Sequence, residues 1–266
     1  MAAVRAVPTL GGMRRLVLAV VALLTLAVGA QAATNPVVTA IERSADVRSS
    51  TLRMSVTTVG GGTRQTLTGT GAQSGDSVSL SMRTRVAGQS VKMDAVLLRQ
   101  GGSYVMFMRS PAFASQLPAG KKWLRIDLSQ QAANAGVDFA SLIDTGQTLA
   151  PLEKGLVSTK RLGRETVAGK ATTHYQAVVD LQRAARAIPA YAKQIAAVQK
   201  ATGLTLGRTT QHVWVGGDGR VRQIRSTTPT VVQGGVRGTA TQTITFLAYD
   251  VPVRITAPPA AQVATP

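Results

Sequence analysis

Apolar and polar residues alternate with a period of two along much of this chain, which places the apolar side chains of a strand on one face. Leu52, Met54 and Val56 alternate with Arg53, Ser55 and Thr57. Val78, Leu80 and Met82 alternate with Ser79, Ser81 and Arg83, and Val91, Met93 and Ala95 with Lys92 and Asp94. Near the C-terminus, Ile244 and Phe246 alternate with Thr243 and Thr245. Glycine-bearing turns punctuate these runs at 60–62, 71–75, 87–88, 101–102, 168–169, 216–219 and 234–235. Strands of about 7–11 residues joined by short glycine turns predict an antiparallel meander.

Three stretches carry the helical period instead. The first covers 36–47, behind Asn35 as N-cap and with Pro36 at the first helical position. The second is a short candidate over 139–149. The third covers 181–202, with Asp180 as N-cap and Gly203 as the stop. Its residues Leu181, Ala184, Ile188, Tyr191, Ile195 and Val198 recur at spacings of three and four, while Arg186, Lys193 and Lys200 point almost opposite. Pro189 lies inside this stretch and predicts a kink or break. Beyond about Ile255 the chain turns to alanine, proline and threonine and reads as a disordered tail over 255–266. Helices covering one face of a curved sheet bury that face and can enclose a cavity.

The N-terminus changes the picture. Arg5, Arg14 and Arg15 precede an uncharged run from Leu16 to Val28, and Ala30-Gln31-Ala32 supplies the small-x-small pattern read by signal peptidase. That run spans roughly 20 Å as a helix, short of the ~30 Å hydrocarbon core, so residues 1–32 are expected to be a cleaved signal peptide. The mature protein is then exported to the envelope, the periplasmic space or the medium. It holds 27 basic and 12 acidic residues, a net charge of +15. Such a charge attracts phosphate-rich surfaces, anionic lipid or wall polymers. Aromatics at 4% offer few stacking platforms, so nucleic acid is not an expected partner. There is no cysteine, which excludes disulfides and a lipid anchor on an N-terminal cysteine.

Catalytic apparatus is not apparent. The two histidines, His174 and His212, fall in predicted strands without a metal-binding spacing, and no GxSxG elbow is present. Gly216-Gly217-Asp218-Gly219 lacks the lysine of a phosphate loop and the repeated acids of a calcium loop, and reads as a hairpin turn. No carboxylate pair stands out for glycoside hydrolysis. No catalytic residue, metal or cofactor is expected, and the chain is not expected to be an enzyme.

Several stretches together resemble one family. Residues 163–175, GRETVAGKATTHY, followed by Val179-Asp180-Leu181, resemble its G-x-E-x-V-x-G … T-x-H-Y … D-L segment. Residues 213–221, VWVGGDGRV, are similar to its W-V-D-x-x-G hairpin, and residues 249–259 to its closing strand and proline tail. The family is that of the actinobacterial LppX/LprG-type envelope lipoproteins, which share the LolA-like fold. The resemblance, over residues 36–259, implies an α+β fold: a strongly curved antiparallel β half-barrel with helices on its concave face, here over 33–254. It further implies that the hollow accepts a lipid or lipoglycan. Where that family begins with a lipidated cysteine, this chain has Gln31-Ala32-Ala33, which favours a soluble carrier. The expected function is a non-enzymatic carrier or binder of an amphiphile, acting as a monomer. The alternative is an envelope-stress sensor acting through a protein partner.

The family defines no ligand residues, so strand parity alone supplies the candidates. Met54, Val56, Leu80, Met82, Met93, Phe107 and Phe246 are expected to line the apolar hollow, with Trp123 and Trp214. Arg186, Lys193 and Lys200 are the expected membrane-facing basic residues, in peripheral contact with anionic lipid.

Overall fold

The computed structural model describes residues 35–86, 88–128, 154–203, 205, 207–231 and 235–265. The expected signal peptide and the helix expected over 139–149 lie outside the described residues. Among the described residues, twelve strands form one sheet. The first six are β1 (Ser49–Gly60), β2 (Thr63–Ser74), β3 (Ser77–Val86), β4 (Gln89–Gln100), β5 (Ser103–Arg109) and β6 (Trp123–Asp127). They are followed by β7 (Leu156–Val167), β8 (Lys170–Asp180), β9 (Arg208–Gly216), β10 (Val221–Val231), β11 (Arg237–Tyr249) and β12 (Val263–Ala264).

The order across the sheet is β12-β6-β5-β4-β3-β2-β1-β11-β10-β9-β8-β7, and its two ends are not joined to each other. Every pairing is antiparallel except β12 with β6, which is parallel. The expected meander is therefore present twice, as β1–β6 and as β7–β11. The two are sewn together where Ser50 pairs with Tyr249 at one end and Gly60 with Gly238 at the other.

Among the described residues, three α-helices accompany the sheet: α1 (Pro36–Ala45), α2 (Leu181–Ala187) and α3 (Pro189–Thr202). The caps are those expected from sequence. Asn35 accepts from the Val37 amide, Asp180 from the Arg183 amide, and Gly203 closes α3 in the left-handed conformation. Proline at 189 has no N–H for the helical ladder, and the chain breaks there into two helices rather than one.

Directly paired residues share a face of the sheet, so the register sorts the side chains. One face carries Leu124 and Ile126 of β6, Met106 and Met108 of β5, Met93 of β4, Leu80 and Met82 of β3, and Leu52, Met54 and Val56 of β1. It continues through Ile244 and Phe246 of β11, Ile224 of β10, Val213 of β9 and Tyr175 of β8. The three helices pack on this same face, where Val37, Ile41, Leu181 and Ile195 join Val179, Val213 and Ile224 in one core cluster. Phe246 touches both that cluster and the one built on Leu52, Met54 and Met82.

Two differences from the sequence reading have clear causes. Gly71, expected in a turn, lies inside β2; the turn falls at Gly75. Gly69 and Gly71 leave the apolar face of β2 bare, and the flanking side chains close over it. A Cβ at Gly71 would sit 2.5 Å from Leu80 Cδ2 and 3.4 Å from Leu52 Cδ1, and one at Gly69 would sit 3.0 Å from Met82 Cγ. The tail expected to be disordered is ordered. Ile255 and Val263 pack on Leu98, Val105, Phe107 and Trp123, the Lys122 amide donates to the Gln262 carbonyl, and Val263–Ala264 adds the twelfth strand. Those two apolar side chains and the open edge of β6 outweigh the low hydrophobicity of the segment.

Candidate functional site

The register divides the nine expected ligand residues between the two faces. Met54, Val56, Leu80, Met82, Met93 and Phe246 share the apolar face. Phe107 pairs with Val96 and Trp214 with His174, and both fall on the opposite face. Trp123 is there too, beneath the C-terminal tail. Parity misplaced Phe107 and Trp214 because their strands are apolar on both sides, whereas Trp123 falls in step with Arg125 and Asp127, opposite to Leu124 and Ile126. Phe107 lies between Met106 and Met108, and Trp214 between Val213 and Val215, so no polar neighbour marks which side is out.

The methionines show the opposite outcome. Met54, Met82, Met93, Met106 and Met108 come from four strands, and all five lie on the apolar face. Met82 is completely buried, and Met54, Met106 and Met108 are buried as well. Arg186, Lys193 and Lys200 are exposed, while Leu181, Ala184 and Ile195 of the intervening stripe are buried.

The other face holds an arrangement the sequence reading missed. The Glu165 carboxylate accepts from the Trp214 indole N–H at 2.8 Å through Oε2, and its Oε1 lies 2.7 Å from His174 Nδ1. His174 Nε2 is 2.9 Å from His212 Nδ1. The His174 ring stacks on Trp214 with centroids 4.1 Å apart, and the Arg225 guanidinium lies 5.2 Å above the same indole. All five residues come from two hairpins, β7–β8 and β9–β10, and Glu165, His174 and Trp214 belong to the motifs quoted above. The one available signal was hairpin counting: the turn at 168–169 sets Glu165 opposite Thr172, beside His174.

Trp214 and then His174 hold the Glu165 carboxyl below its ordinary range by donating to its ionised form. Desolvation, followed by the charges of His174 and Arg225, pushes the His212 imidazole down. Both groups favour the deprotonated state in the fold. The stability they contribute is present above the unfolded values of 6.5 and 4.5 and is lost as pH falls through the folded ones. Thermal melts in chloride buffers should therefore be level from pH 8 to 7, decline below 6.5 and decline again below 4.5. His212→Gln should remove only the first decline. Identical melting temperatures for the wild type at pH 7.5 and 5.5 would contradict this.

Next to His212 the sheet opens. The β9–β10 ladder ends at the pair Ser226–Gln211, although β10 runs on to Val231 alongside β11. Pro229 has no N–H to offer β9. Between the separated strands lies a cleft of about 410 Å³ whose wall includes Arg208, His212 and Arg225 with several threonines. Among the described residues no group of three or more His, Cys, Asp or Glu side chains is arranged to hold a metal ion. Nor is any described helix long and apolar enough to cross a membrane.

The fold thus defines an open, mostly antiparallel sheet with one continuous apolar face, on which its few helices pack. No protein-family model matches the chain, and neither does any curated protein. Solved structures similar to it include LprF from Mycobacterium bovis, 12% identical with a TM-score of 0.45, covering 82% of this chain and 93% of that one. Another is the Mycobacterium tuberculosis lipoprotein LppX, 12% identical with a TM-score of 0.39, covering 82% and 94%. A third is a Vibrio parahaemolyticus domain described as an outer membrane lipoprotein-sorting protein, 11% identical with a TM-score of 0.27, covering 81% and 93%. LppX, the family name suggested by the motifs, is thus among the structures to which this chain is similar.

Proposed function

We propose that this protein is a non-enzymatic carrier of a lipid or related amphiphile, working outside the cytoplasmic membrane. The observation that carries the reading is the gathering of all five strand methionines on one apolar face. Unbranched thioether side chains adapt to irregular apolar occupants. Each methylene moved from water to such a surface contributes about 0.8 kcal/mol, so two long acyl chains supply enough to outweigh the ordering cost of binding. On this reading the sheet curves as a half-barrel around the apolar side, with α1–α3 on the concave face and the chains lying against the methionines. The exposed Arg186, Lys193 and Lys200 then meet anionic lipid during loading and release.

One set of measurements tests this. Protein recovered from outside the membrane of its native host should begin at Ala33 and should yield an amphiphile to organic solvent, identified by mass spectrometry. Met93→Gln, a partly buried position, should weaken uptake of a fluorescent fatty-acid probe several-fold. Arg186→Gln, Lys193→Gln and Lys200→Gln together should flatten the salt dependence of binding to anionic vesicles. A ligand-free protein that ignores the probe and the vesicles would sink the proposal.

A further inference from the structure

We infer that the cleft between the separated ends of β9 and β10 binds a phosphate-type oxyanion carried on a hydroxyl-rich moiety. Arg208 and Arg225 supply two guanidiniums and His212 an imidazole, and none of the described lining residues is acidic. A planar guanidinium fork matches the oxygens of a phosphate better than any other side chain. Arg208 is held only loosely, at 3.7 Å from Asp180, and its side chain is 69% exposed, so it is free to turn to an occupant. At about 410 Å³ the cleft exceeds what a bare phosphate fills and lies within the usual range of small-molecule sites. Hydroxyls of Thr210, Thr227 and Thr228 suit the remainder of a polyol or sugar ester.

The histidine pair gives the site a definite protonation chemistry. Ionised Glu165 accepts from His174 Nδ1–H. With both imidazoles neutral, His174 Nε2 accepts from His212 Nδ1–H, and His212 Nε2 is a bare lone pair. Whichever ring takes one added proton, His212 Nε2 then carries a hydrogen. The cleft gains a donor. The charged groups around His212 are Glu165 on β7, His174 on β8 and Arg225 on β10, with Arg208 on its own strand. Oxyanion binding therefore takes up a proton and strengthens as pH falls.

Both side-chain parities line the opening. Thr209 and Thr228 belong to the apolar face and Thr210, Thr227 and His212 to the other, and Leu181 of the helix-covered core is also at its wall. A headgroup here would sit at the border of the apolar side, yet the assignment does not depend on the lipid reading, because soluble esters test it alone. Titration calorimetry on the mature protein would use inorganic phosphate, glycerol 3-phosphate and sulfate, with phosphatidylglycerol vesicles against phosphatidylcholine as the membrane arm.

Glycerol 3-phosphate should bind more tightly than inorganic phosphate. Sulfate, a dianion throughout, should bind more tightly at pH 6 than at pH 8, and His212→Gln should abolish that difference. Arg208→Gln and Arg225→Gln should each weaken binding roughly tenfold or more, the loss expected for a charged hydrogen bond. Should Arg225→Gln fail to fold, since its guanidinium lies on Trp214, the exposed Arg208 decides alone. Arginine-dependent binding of the soluble ester assigns a free phosphoester, whereas the same dependence seen only on phosphatidylglycerol assigns a lipid headgroup. The inference is overturned if neither binds, or if Arg208→Gln binds like the wild type.

Discussion

Truncating Trp214 to alanine is expected to lower the unfolding free energy by about 3–5 kcal/mol, the range for removing a large buried aromatic. The indole is 2% exposed. It donates to Glu165, stacks on His174 and lies beneath Arg225, so its loss disconnects the hairpins β7–β8 and β9–β10 on their polar side. Trp214→Phe separates the contributions. It keeps the ring and most of the burial but removes the N–H donor, and because Glu165 is half exposed, water replaces that bond. The phenylalanine variant should therefore lose only about 1 kcal/mol. Urea denaturation reads both values. An alanine variant within 1 kcal/mol of the wild type, on the same order as the phenylalanine loss, would mean that the cluster is not a structural tie.

Gly71→Val is expected to cost about 3 kcal/mol, at the upper end of the usual penalty for overpacking. Its Cβ would lie 2.5 Å from Leu80 Cδ2 and 2.8 Å from the Ser79 carbonyl oxygen. The leucine can turn aside, whereas the carbonyl belongs to the β2–β3 ladder and cannot move without breaking it. Gly75→Val, in the adjoining turn, tests a different mechanism, since no atom lies within 4 Å of a Cβ there and only the positive φ of 53° opposes it. The two together separate crowding from backbone strain. A Gly71 variant that melts at the wild-type temperature would show that the contact relaxes without cost.

The two glycines also mark the limits of reading this chain in one dimension. Where polar residues alternate with apolar ones, as in β1, β3 and β11, the sequence already assigns the faces, because one side must stay in water. The helix caps at Asn35, Asp180 and Gly203 and the break at Pro189 were equally legible, each being a local hydrogen-bond requirement. A glycine inside a strand looks like a turn, since the reason for it, the side chains of Leu80 and Leu52 closing overhead, comes from other strands. The sides of Phe107 and Trp214 were hidden because apolar residues flank them. The Glu165–His174–His212 chain was hidden for another reason. Counting from the turn at 168–169 sets Glu165 beside His174, but His212 comes in through the β8–β9 pairing, whose strands are separated by α2 and α3, so no tight turn marks that register.

The pairing of the first strand with the eleventh bears on how the molecule comes into being. Each meander is built from neighbours in sequence and can assemble on its own. The seam that unites them cannot, because Ser50 must wait for Tyr249, and pairing between such distant segments is slow. Until then the chain is two ribbons with a bare strand on each. Only after almost its whole length has emerged does the central ladder close, and only then can Val263–Ala264 reach back to the rim of the first ribbon. A chain wired in this way completes its fold only when nearly all of the described sequence is present, whatever its ribbons have formed beforehand.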